Sequence, residues 1–314
     1  MRKFDITIVG EFNLDLLLYG LPEELPVERE LLANHAAIVL GGSPAITAHN
    51  LGALGNRVGF ITILANDVFS PQCRRELENA GVDVSRAIFA DHHISTGFTV
   101  LLQHNGTRRM LTYPGTAPHL TFDQLDLDYL CSARHFHLAS YFLQTSLRSD
   151  VPRLFARLKE AGLTISLDTN DDPSDTWDDS IREVLRHVHV LLPNEYEACR
   201  MAHTENIDEA IEWLLQFVPL IVVKKGAEGA IACTRKRRWT ASAVKVLPID
   251  AVGAGDSFNA GFLHGYIRGW AMEDCLRQGN LAGAVSTTMV GGVAAFQSRA
   301  GLEQFFAEHS AEVK

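Results

Sequence analysis

Strand-like and helix-like segments alternate along the chain from about residue 120, and this order constrains the fold more than any other feature. Each apolar, β-rich run is followed by a longer segment with helical periodicity. Parallel strands need a long crossover, which a helix supplies, so the alternation predicts a mostly parallel sheet covered by helices. We predict strands at 135–139, 163–167, 188–192 and 220–223, and helices at 149–161, 179–187, 195–203, 208–217, 257–269 and 272–290.

Two further β-rich segments precede this region. The first, residues 5–10, is β-branched and runs directly into polar residues. The second, residues 96–113, is centred on Asn105-Gly106, a pair that tolerates the positive φ angles of a tight hairpin turn. The chain has 314 residues and shows neither an internal repeat nor a linker rich in Pro or Gly. We therefore expect one α/β body that carries a small β flap.

Charge and cysteine content narrow the class of protein. Lys and Arg number 28 and Asp and Glu 38, so the formal net charge is −10, which disfavours binding to nucleic acid. The five cysteines are widely spaced and include no Cys-x-x-Cys pair, which favours a reducing compartment over a disulfide framework. No stretch has the length of a signal-peptide core or a membrane span. We expect a soluble cytoplasmic protein with no nucleic-acid or membrane partner.

The segment 250–261 carries the clearest chemical signal. Its small residues, from Gly253 to Gly255, let the backbone approach a ligand, and a predicted helix follows directly. A helix start presents free N–H groups and the positive end of the dipole, which suits a phosphoryl group. Asp256 lies beside it and could accept a proton from an attacking hydroxyl. The alternative interpretation is a glycine-rich turn with an Asp N-cap.

A second glycine segment, residues 41–52, also opens a predicted helix. Gly41 and Gly42 precede a run of small residues that suits a close-packed face. A sugar could lie against this backbone. Taken alone, the segment is equally typical of tight packing between a helix and a sheet.

In order along the chain, these features resemble the ribokinase/PfkB family of carbohydrate kinases, from about residue 6 to about residue 292. The features are Asn13 and Asp15, Gly41-Gly42 before a helix, Asn194-x-x-Glu197, and Gly253-Ala254-Gly255-Asp256. The resemblance implies a three-layer α/β/α ribokinase-like (Rossmann-like) body with a small β-sheet lid. It further implies a single domain over 1–314, with a lid built from about 11–20, 30–40 and 94–114.

The resemblance also implies an activity and a set of site residues. It implies ATP-dependent phosphorylation of a sugar-like hydroxyl with Mg²⁺, in which Asp256 is the catalytic base. The implied anion hole is Gly253, Ala254 and Gly255. The implied sugar-binding residues are Asn13, Asp15, Gly41, Gly42 and Ser43. The implied ATP and Mg²⁺ residues are Asn194, Glu197, Lys225, Gly226 and Asn280. An implied monovalent cation site, for K⁺, comprises Asp250, Val252, Ser286, Met289 and Gly291.

Departures from the family pattern bear on the substrate. Ile46 stands where many members carry an Asn that contacts the sugar. Asp171 and Asp172 stand near the position of an Arg in sugar-acid kinases, and two carboxylates would repel an anion. We therefore expect a neutral, fructose- or ribose-like sugar. Arg108 and Arg109 follow the hairpin and are interpreted as solvated. A homodimer through the lid is expected from the family.

Three alternatives remain. A nucleoside kinase of the same family would use the same chemistry on a different acceptor. A non-catalytic, sugar-sensing homologue would have no need of the Asp256 carboxylate. An NAD-dependent dehydrogenase is disfavoured, because Gly10-Glu11-Phe12-Asn13 follows the first strand in place of a Gly-x-Gly-x-x-Gly turn.

Overall fold

The structure is a computed structural model that describes residues 2–104 and 107–309. Asn105 and Gly106, where the sequence predicts the hairpin turn, lie outside the described residues. The strands are β1 (Ile6–Val9), β2 (Asn13–Tyr19), β3 (His35–Gly41), β4 (Val58–Ile61), β5 (Ile63–Leu64), β6 (Val82–Asp83), β7 (Ile88–Phe89), β8 (Gly97–His104), β9 (Thr107–Tyr113), β10 (His135–Leu138), β11 (Thr164–Leu167), β12 (Val190–Leu191), β13 (Leu220–Lys224), β14 (Ala230–Cys233) and β15 (Arg238–Ala241). The helices are α1 (Ser43–Ala53), α2 (Ser70–Asn79), α3 (Leu127–Cys131), α4 (Thr145–Arg148), α5 (Val151–Glu160), α6 (Ile181–Leu185), α7 (Glu195–Met201), α8 (Ile207–Leu214), α9 (Ala254–Ile267), α10 (Met272–Thr287) and α11 (Arg299–His309).

The larger sheet runs through the centre of the molecule. Within the described ranges its nine strands follow the order β15-β14-β13-β12-β11-β10-β1-β4-β6. Neighbouring strands in the series β6-β4-β1-β10-β11-β12-β13 are parallel. At the β13 edge, β14 and β15 add antiparallel strands. The chain moves from β1 towards β4 and β6, then returns to β10 and continues in the other direction. This reversal between β1 and β10 opens a crevice at the carboxyl ends of the strands, where ligands of such sheets bind.

Helices cover both faces of the larger sheet. Ile6 and Ile8 of β1 belong to a core that includes residues of α1, α2, α9 and α10. Phe136 and Leu138 of β10 belong to a second core, shared with α5, α6, α7 and α8. Because both faces are buried, β13 is almost entirely apolar, whereas β10 and β11 alternate apolar residues with buried polar ones. The buried His135 and His137 rings hydrogen-bond to the Ser166 hydroxyl of the neighbouring strand. The predicted three-layer α/β/α body is confirmed.

A smaller four-stranded sheet, in the order β3-β2-β8-β9, stands beside the carboxyl edge of the larger one. β2 lies within 11–20 and β8 and β9 lie within 94–114, whereas β3 continues to Gly41, one residue beyond the expected 30–40. On one face, Leu17 and Leu101 pack against Val252 of the main body. The opposite face is apolar and includes exposed side chains. This sheet therefore has one face directed at the body and one directed at solvent.

Some element bounds differ from the sequence predictions. The helix predicted at 257–269 begins at Ala254, because Gly253 adopts a left-handed conformation with φ 70° and starts the helix earlier. The strand predicted at 188–192 is only Val190–Leu191. The helix predicted at 179–187 is Ile181–Leu185, and the Asp178 carboxylate accepts a hydrogen bond from the backbone of Ser180 just before it. In the described ranges, every helix is too short or too polar to cross a lipid bilayer.

Candidate active site

The start of α9 forms the centre of the candidate site. The first hydrogen bond of the helix runs from the Ser257 amide to the Gly253 carbonyl, at 2.8 Å. The amides of Gly255 and Asp256 precede it, so no carbonyl within the helix is available to them. These N–H groups and the positive end of the helix dipole can bind an anion. A side chain at Gly253 would collide with the backbone of Gly292, so the loop requires glycine there.

Residues of the segment 41–52 pack against this loop and hydrogen-bond to it. Ile46 is buried in α1, and a Cβ atom built on Gly253 would lie 3.2 Å from its Cδ1 atom. The Asn50 amide donates hydrogen bonds to the Ser257 hydroxyl and to the Gly292 carbonyl, each at 2.9 Å. Ile46 thus packs beneath the glycine loop, which explains an apolar side chain at this position.

Asp256, predicted as the catalytic base, lies in the first turn of α9. Its Oδ1 atom accepts a hydrogen bond from the hydroxyl of Ser43, the first residue of α1. The pKa of Asp256 is raised to about 6, mainly by burial and also by the Asp168 charge, while the Ser43 hydrogen bond and the Lys224 charge oppose the rise. A carboxylate with this pKa is ionised at neutral pH and still accepts a proton well.

Asn13 and Asp15, predicted to bind the sugar, face the body from β2. They are only 4% and 7% exposed, and Asn13 Oδ1 has no hydrogen-bond partner among the described residues. A side chain at Gly41 would overlap the Asp15 carboxylate, so glycine keeps this space open. Burial, followed by the charges of Asp256 and Asp250, raises the pKa of Asp15 to about 7. These polar groups are held in place with unused capacity for hydrogen bonds.

A buried ion pair lies directly behind the start of α9. Asp168, which follows β11, is fully buried, and its Oδ2 atom accepts hydrogen bonds from Lys224 Nζ and from Asn259 Nδ2, the latter at 2.5 Å. Burial alone would lower the pKa of Lys224, but the charges of Asp168 and Glu197 outweigh it and raise the pKa. Lys224 is therefore charged.

The predicted Asn194-x-x-Glu197 pair forms a reciprocal cap at the start of α7. Asn194 Oδ1 accepts from the Glu197 amide at 2.8 Å, and Glu197 Oε2 accepts from the Asn194 amide at 2.9 Å. Burial, followed by the Asp168 charge, raises the pKa of Glu197 to about 7. The Asn194 backbone forms a parallel bridge with Lys224, which brings this cap beside the buried ion pair. The pair therefore has a structural role in addition to any ligand role.

Two of the residues predicted to hold the nucleotide, Lys225 and Asn280, already have partners within the protein. The Lys225 ammonium pairs with Glu228 at 2.6 Å and with Glu195 at 3.4 Å. Gly226 has φ 54° and open space around its Cα atom. The Asn280 side-chain nitrogen donates to two consecutive carbonyls at the end of β15, at 3.0 and 2.9 Å. Asn280 thus positions the loop after β15.

Two residues of the predicted monovalent cation site, Val252 and Gly291, bind the carboxylate of a third, Asp250, which is 3% exposed. Its two oxygens accept hydrogen bonds from the Val252 amide (3.0 Å), the Gly291 amide (2.9 Å), Gln103 Nε2 (3.0 Å) and the Tyr19 hydroxyl (3.1 Å). Asp250 therefore organises the loop and ties it to the smaller sheet. The buried Ser286 hydroxyl has no partner among the described residues, whereas Met289 is 47% exposed.

Asp171 and Asp172 do not form the acidic wall that the sequence suggested. The Asp172 oxygens accept five hydrogen bonds from Ser174, Thr176 and Trp177, so this carboxylate stabilises its own loop. Asp171 is exposed.

Sequence reasoning missed Lys224, Asn259 and Glu11. Glu11 is 3% exposed at the reversal between β1 and β10, where Gln144 Nε2 donates to it at 2.6 Å. Burial raises its pKa to about 7. Asn259 follows Asp256 by three residues, a helical spacing that could have revealed it. Lys224 ends a strand, but the sequence offers no means of choosing between it and Lys225.

The described residues contain no group of three or more His, Cys, Asp or Glu side chains that could hold a metal ion. Mg²⁺ is commonly bound by one or two carboxylates together with water and substrate phosphates. The buried Glu197 carboxylate, close to Asp168 and Asp256, fits that kind of site.

Comparison with known proteins agrees with this geometry. The pfkB family of carbohydrate kinases matches residues 3–299. An uncharacterized sugar kinase of Archaeoglobus fulgidus is 29% identical over 74% of this chain and 92% of its own length. A 5-dehydro-2-deoxygluconokinase of Clostridium perfringens is 26% identical over 90% of this chain and 87% of its own length. The fructokinase of Salmonella typhimurium is 26% identical over 85% of this chain and 91% of its own length.

Solved structures show the same fold. A candidate ribokinase II from E. coli in complex with ATP and Mg²⁺ has a TM-score of 0.83 and 22% identity, covering 98% of this chain and 100% of that one. Arabidopsis thaliana ribokinase complexed with ribose and ATP has a TM-score of 0.81 and 22% identity, covering 97% and 99%. The chain therefore belongs to the pfkB family of carbohydrate kinases, enzymes that transfer a phosphoryl group from ATP to a sugar.

Proposed function

We propose that this enzyme transfers the γ-phosphoryl group of ATP to a hydroxyl of a neutral sugar, fructose- or ribose-like. The observation that carries the proposal is the Asp256 carboxylate at the start of α9, beside amides with no helical acceptor. One element thus supplies both a base for the hydroxyl and donors for the charge on the phosphoryl group.

The two oxygens of Asp256 have different roles in this proposal. Oδ1 is engaged by the Ser43 hydroxyl, which orients the carboxylate. Oδ2 accepts the proton of the attacking hydroxyl. The amides of Gly253, Ala254 and Gly255 stabilise the charge on the transferring group, because they are already oriented before the reaction. The Ala254 amide, which contacts the Ala251 carbonyl at 3.3 Å, would share its donor with the phosphoryl group.

ATP and Mg²⁺ are assigned to the groups beside this centre. Mg²⁺ bound near Glu197 and Asn194, largely through water, neutralises phosphate charge. The backbone around Gly226 and the loop held by Asn280 border the nucleotide. The cytoplasm, where ATP is abundant, is the proposed location, and the five free cysteines are consistent with it.

The acceptor is assigned to the inner face of the smaller sheet. Asn13 and Asp15 lie there with unused acceptor atoms, which match the hydroxyl groups of a sugar. A buried carboxylate such as Asp15, next to Asp256, favours a neutral molecule over an anion. We propose that the sheet acts as a lid that excludes water when the sugar is bound.

A sugar acid is the second candidate acceptor, and one observation favours it. Arg108 pairs in register with Gln103, whose side chain reaches Asp250, so the Arg108 side chain shares that inner face. The Arg108 charge lowers the pKa values of Asp15 and Asp256. An arginine so placed could bind a carboxylate. Relatives named 5-dehydro-2-deoxygluconokinase and 2-dehydro-3-deoxygluconokinase are consistent with this candidate.

Asp256→Asn tests the base. We expect a loss of at least about 100-fold in kcat with ATP affinity retained, because the amide cannot accept the proton. The measurement is ADP release with Mg-ATP over a panel of fructose, ribose, other neutral sugars, sugar acids and nucleosides. Wild-type-like turnover by the variant would remove Asp256 from its role. A wild-type signal only with a sugar acid or a nucleoside would overturn the neutral acceptor.

The pH dependence of the reaction tests the same group independently. Since the pKa of Asp256 is about 6, the base is protonated below that pH, and kcat/KM should fall about tenfold per pH unit on the acid side. Ser43 lowers this pKa, so Ser43→Ala should shift the acid limb to higher pH. Thr47→Val serves as the control, because Thr47 contacts only the Asp256 backbone carbonyl. An acid limb unchanged by Ser43→Ala contradicts the assignment.

We propose that K⁺ binds beside the loop organised by Asp250. The unpartnered, buried Ser286 hydroxyl supports this, as does the left-handed Gly291 (φ 79°), which shapes the following turn. We expect a higher kcat in potassium buffer than in sodium buffer of equal ionic strength. Equal rates in the two buffers would dismiss the site.

We propose that the enzyme forms a homodimer through the outer face of the smaller sheet. Leu16, Ile38, Val100 and Leu111 occupy one line across its four strands, and Ile38 and Leu111 are 55% and 59% exposed. An apolar face of this kind is typical of an interface.

Leu111→Asp tests the dimer. A charge in the centre of the proposed interface should convert a dimer of about twice the 34.6 kDa chain mass into a monomer, measured by light scattering after size exclusion. Met110→Asp is the matched control, since Met110 is 56% exposed on the opposite face of the same strand. A wild-type monomer, or a Leu111→Asp dimer, would refute this interface.

A further inference from the structure

Lys224 lies beside the start of α9. A Cβ atom built on Gly255 would be 3.7 Å from Lys224 Nζ, and its three nearest neighbours would all be atoms of that lysine side chain. Because Gly255 has no side chain, nothing separates the ammonium group from the first turn of the helix. The side chain is 12% exposed, so its charged end is not sealed from the crevice.

Lys224 is a charged ammonium group with hydrogen-bond donors that the described residues do not use. One of its three N–H donors is directed to Asp168 Oδ2, and no other hydrogen bond to Nζ is found among the described residues. Asp168 also receives a hydrogen bond from Asn259, so its charge is compensated from two sides. The lysine can therefore bind a second anion without leaving the first.

A structural role alone explains this lysine poorly. Taking an ion pair out of water often costs as much as the pair returns, and apolar residues of similar volume can replace such pairs without loss of stability. Here the pair lies beside Glu197 and Asp256, whose charges would repel a polyphosphate. A fixed cation beside the helix start removes part of that repulsion.

We propose that Lys224 is a catalytic residue whose ammonium contacts an oxygen of the transferring phosphoryl group. This inference rests on the proposed function. As the phosphoryl group moves, the bond from its phosphorus to the bridging oxygen of ATP breaks, and that electron pair leaves with ADP. A new bond forms between phosphorus and the acceptor oxygen, and the hydroxyl proton passes to Asp256. Lys224 keeps its proton throughout and stabilises the charge of the group in transfer.

Lys224→Met, with Lys3→Met as the control, tests the proposal. We expect Lys224→Met to lose about 100- to 1000-fold in kcat, the usual scale for one charge-stabilising donor, with little change in sugar KM. Lys3→Met removes a surface lysine that is 57% exposed and pairs with Asp83, and it should stay within about threefold of wild type.

A second pair of variants, made in the Asp168→Asn protein, separates an effect on catalysis from an effect on folding. Lys224→Met alone leaves the Asp168 charge buried and can destabilise the protein. Asp168→Asn removes that charge and keeps a polar partner for Asn259. We expect Asp168→Asn/Lys224→Met to be folded and still at least about 100-fold slower than Asp168→Asn. Equal rates for these two variants would show that Lys224 only balances Asp168, and would overturn the proposal.

Nucleotide binding without an acceptor separates this inference from the proposed function. If Lys224 contacts the γ-phosphoryl group, Lys224→Met should weaken ATP binding about tenfold and ADP binding less than about twofold. This selective loss, together with no turnover of any acceptor, would refute the proposed function and retain the lysine contact. Equal effects on ATP and ADP would refute the contact, whichever acceptor the enzyme uses.

Discussion

The buried ion pair between Asp168 and Lys224 joins the elements on which the site depends. It links the ends of β11 and β13, and Asn259 connects the same carboxylate to α9. A buried pair contributes little net stability, but removing one partner leaves an uncompensated charge and is strongly unfavourable. The structural effect of the pair is therefore on position rather than on stability. It sets α9, and with it the open amides at the helix start, relative to the edge of the sheet.

The same arrangement concentrates carboxyl groups. The pKa values of Glu11, Asp15 and Glu197 are about 7 and that of Asp256 is about 6, with burial as the largest cause in each case. A raised pKa in the folded state favours folding at low pH, and this contribution is lost as pH rises from about 4 to about 7. At neutral pH the ligand-free enzyme therefore contains several buried carboxyl groups whose ionisation is unfavourable. Ligands that bring cations or hydroxyl donors would stabilise the ionised carboxylates.

The smaller sheet is connected to this centre rather than attached as a separate unit. Gln103 from β8 and Tyr19 from β2 both donate to Asp250, which also accepts from the amides of Val252 and Gly291. One carboxylate therefore links the position of the sheet to the loop that opens α9. Because these four hydrogen bonds meet at Asp250, any movement of the sheet over the crevice would shift the anion-binding amides.

The sequence by itself determined the layered α/β body and the glycine segments that open α1 and α9. These are local patterns, set by periodicity and by the few residues that tolerate a left-handed backbone. It did not determine that Lys224 rather than Lys225 faces the crevice, that Ser43 reaches Asp256, or that Asp172 serves its own loop. In a strand, a shift of one residue reverses the face of a side chain. Contacts across some 50 to 210 residues follow from how parallel strands align their carboxyl ends, and only the tertiary structure decided them.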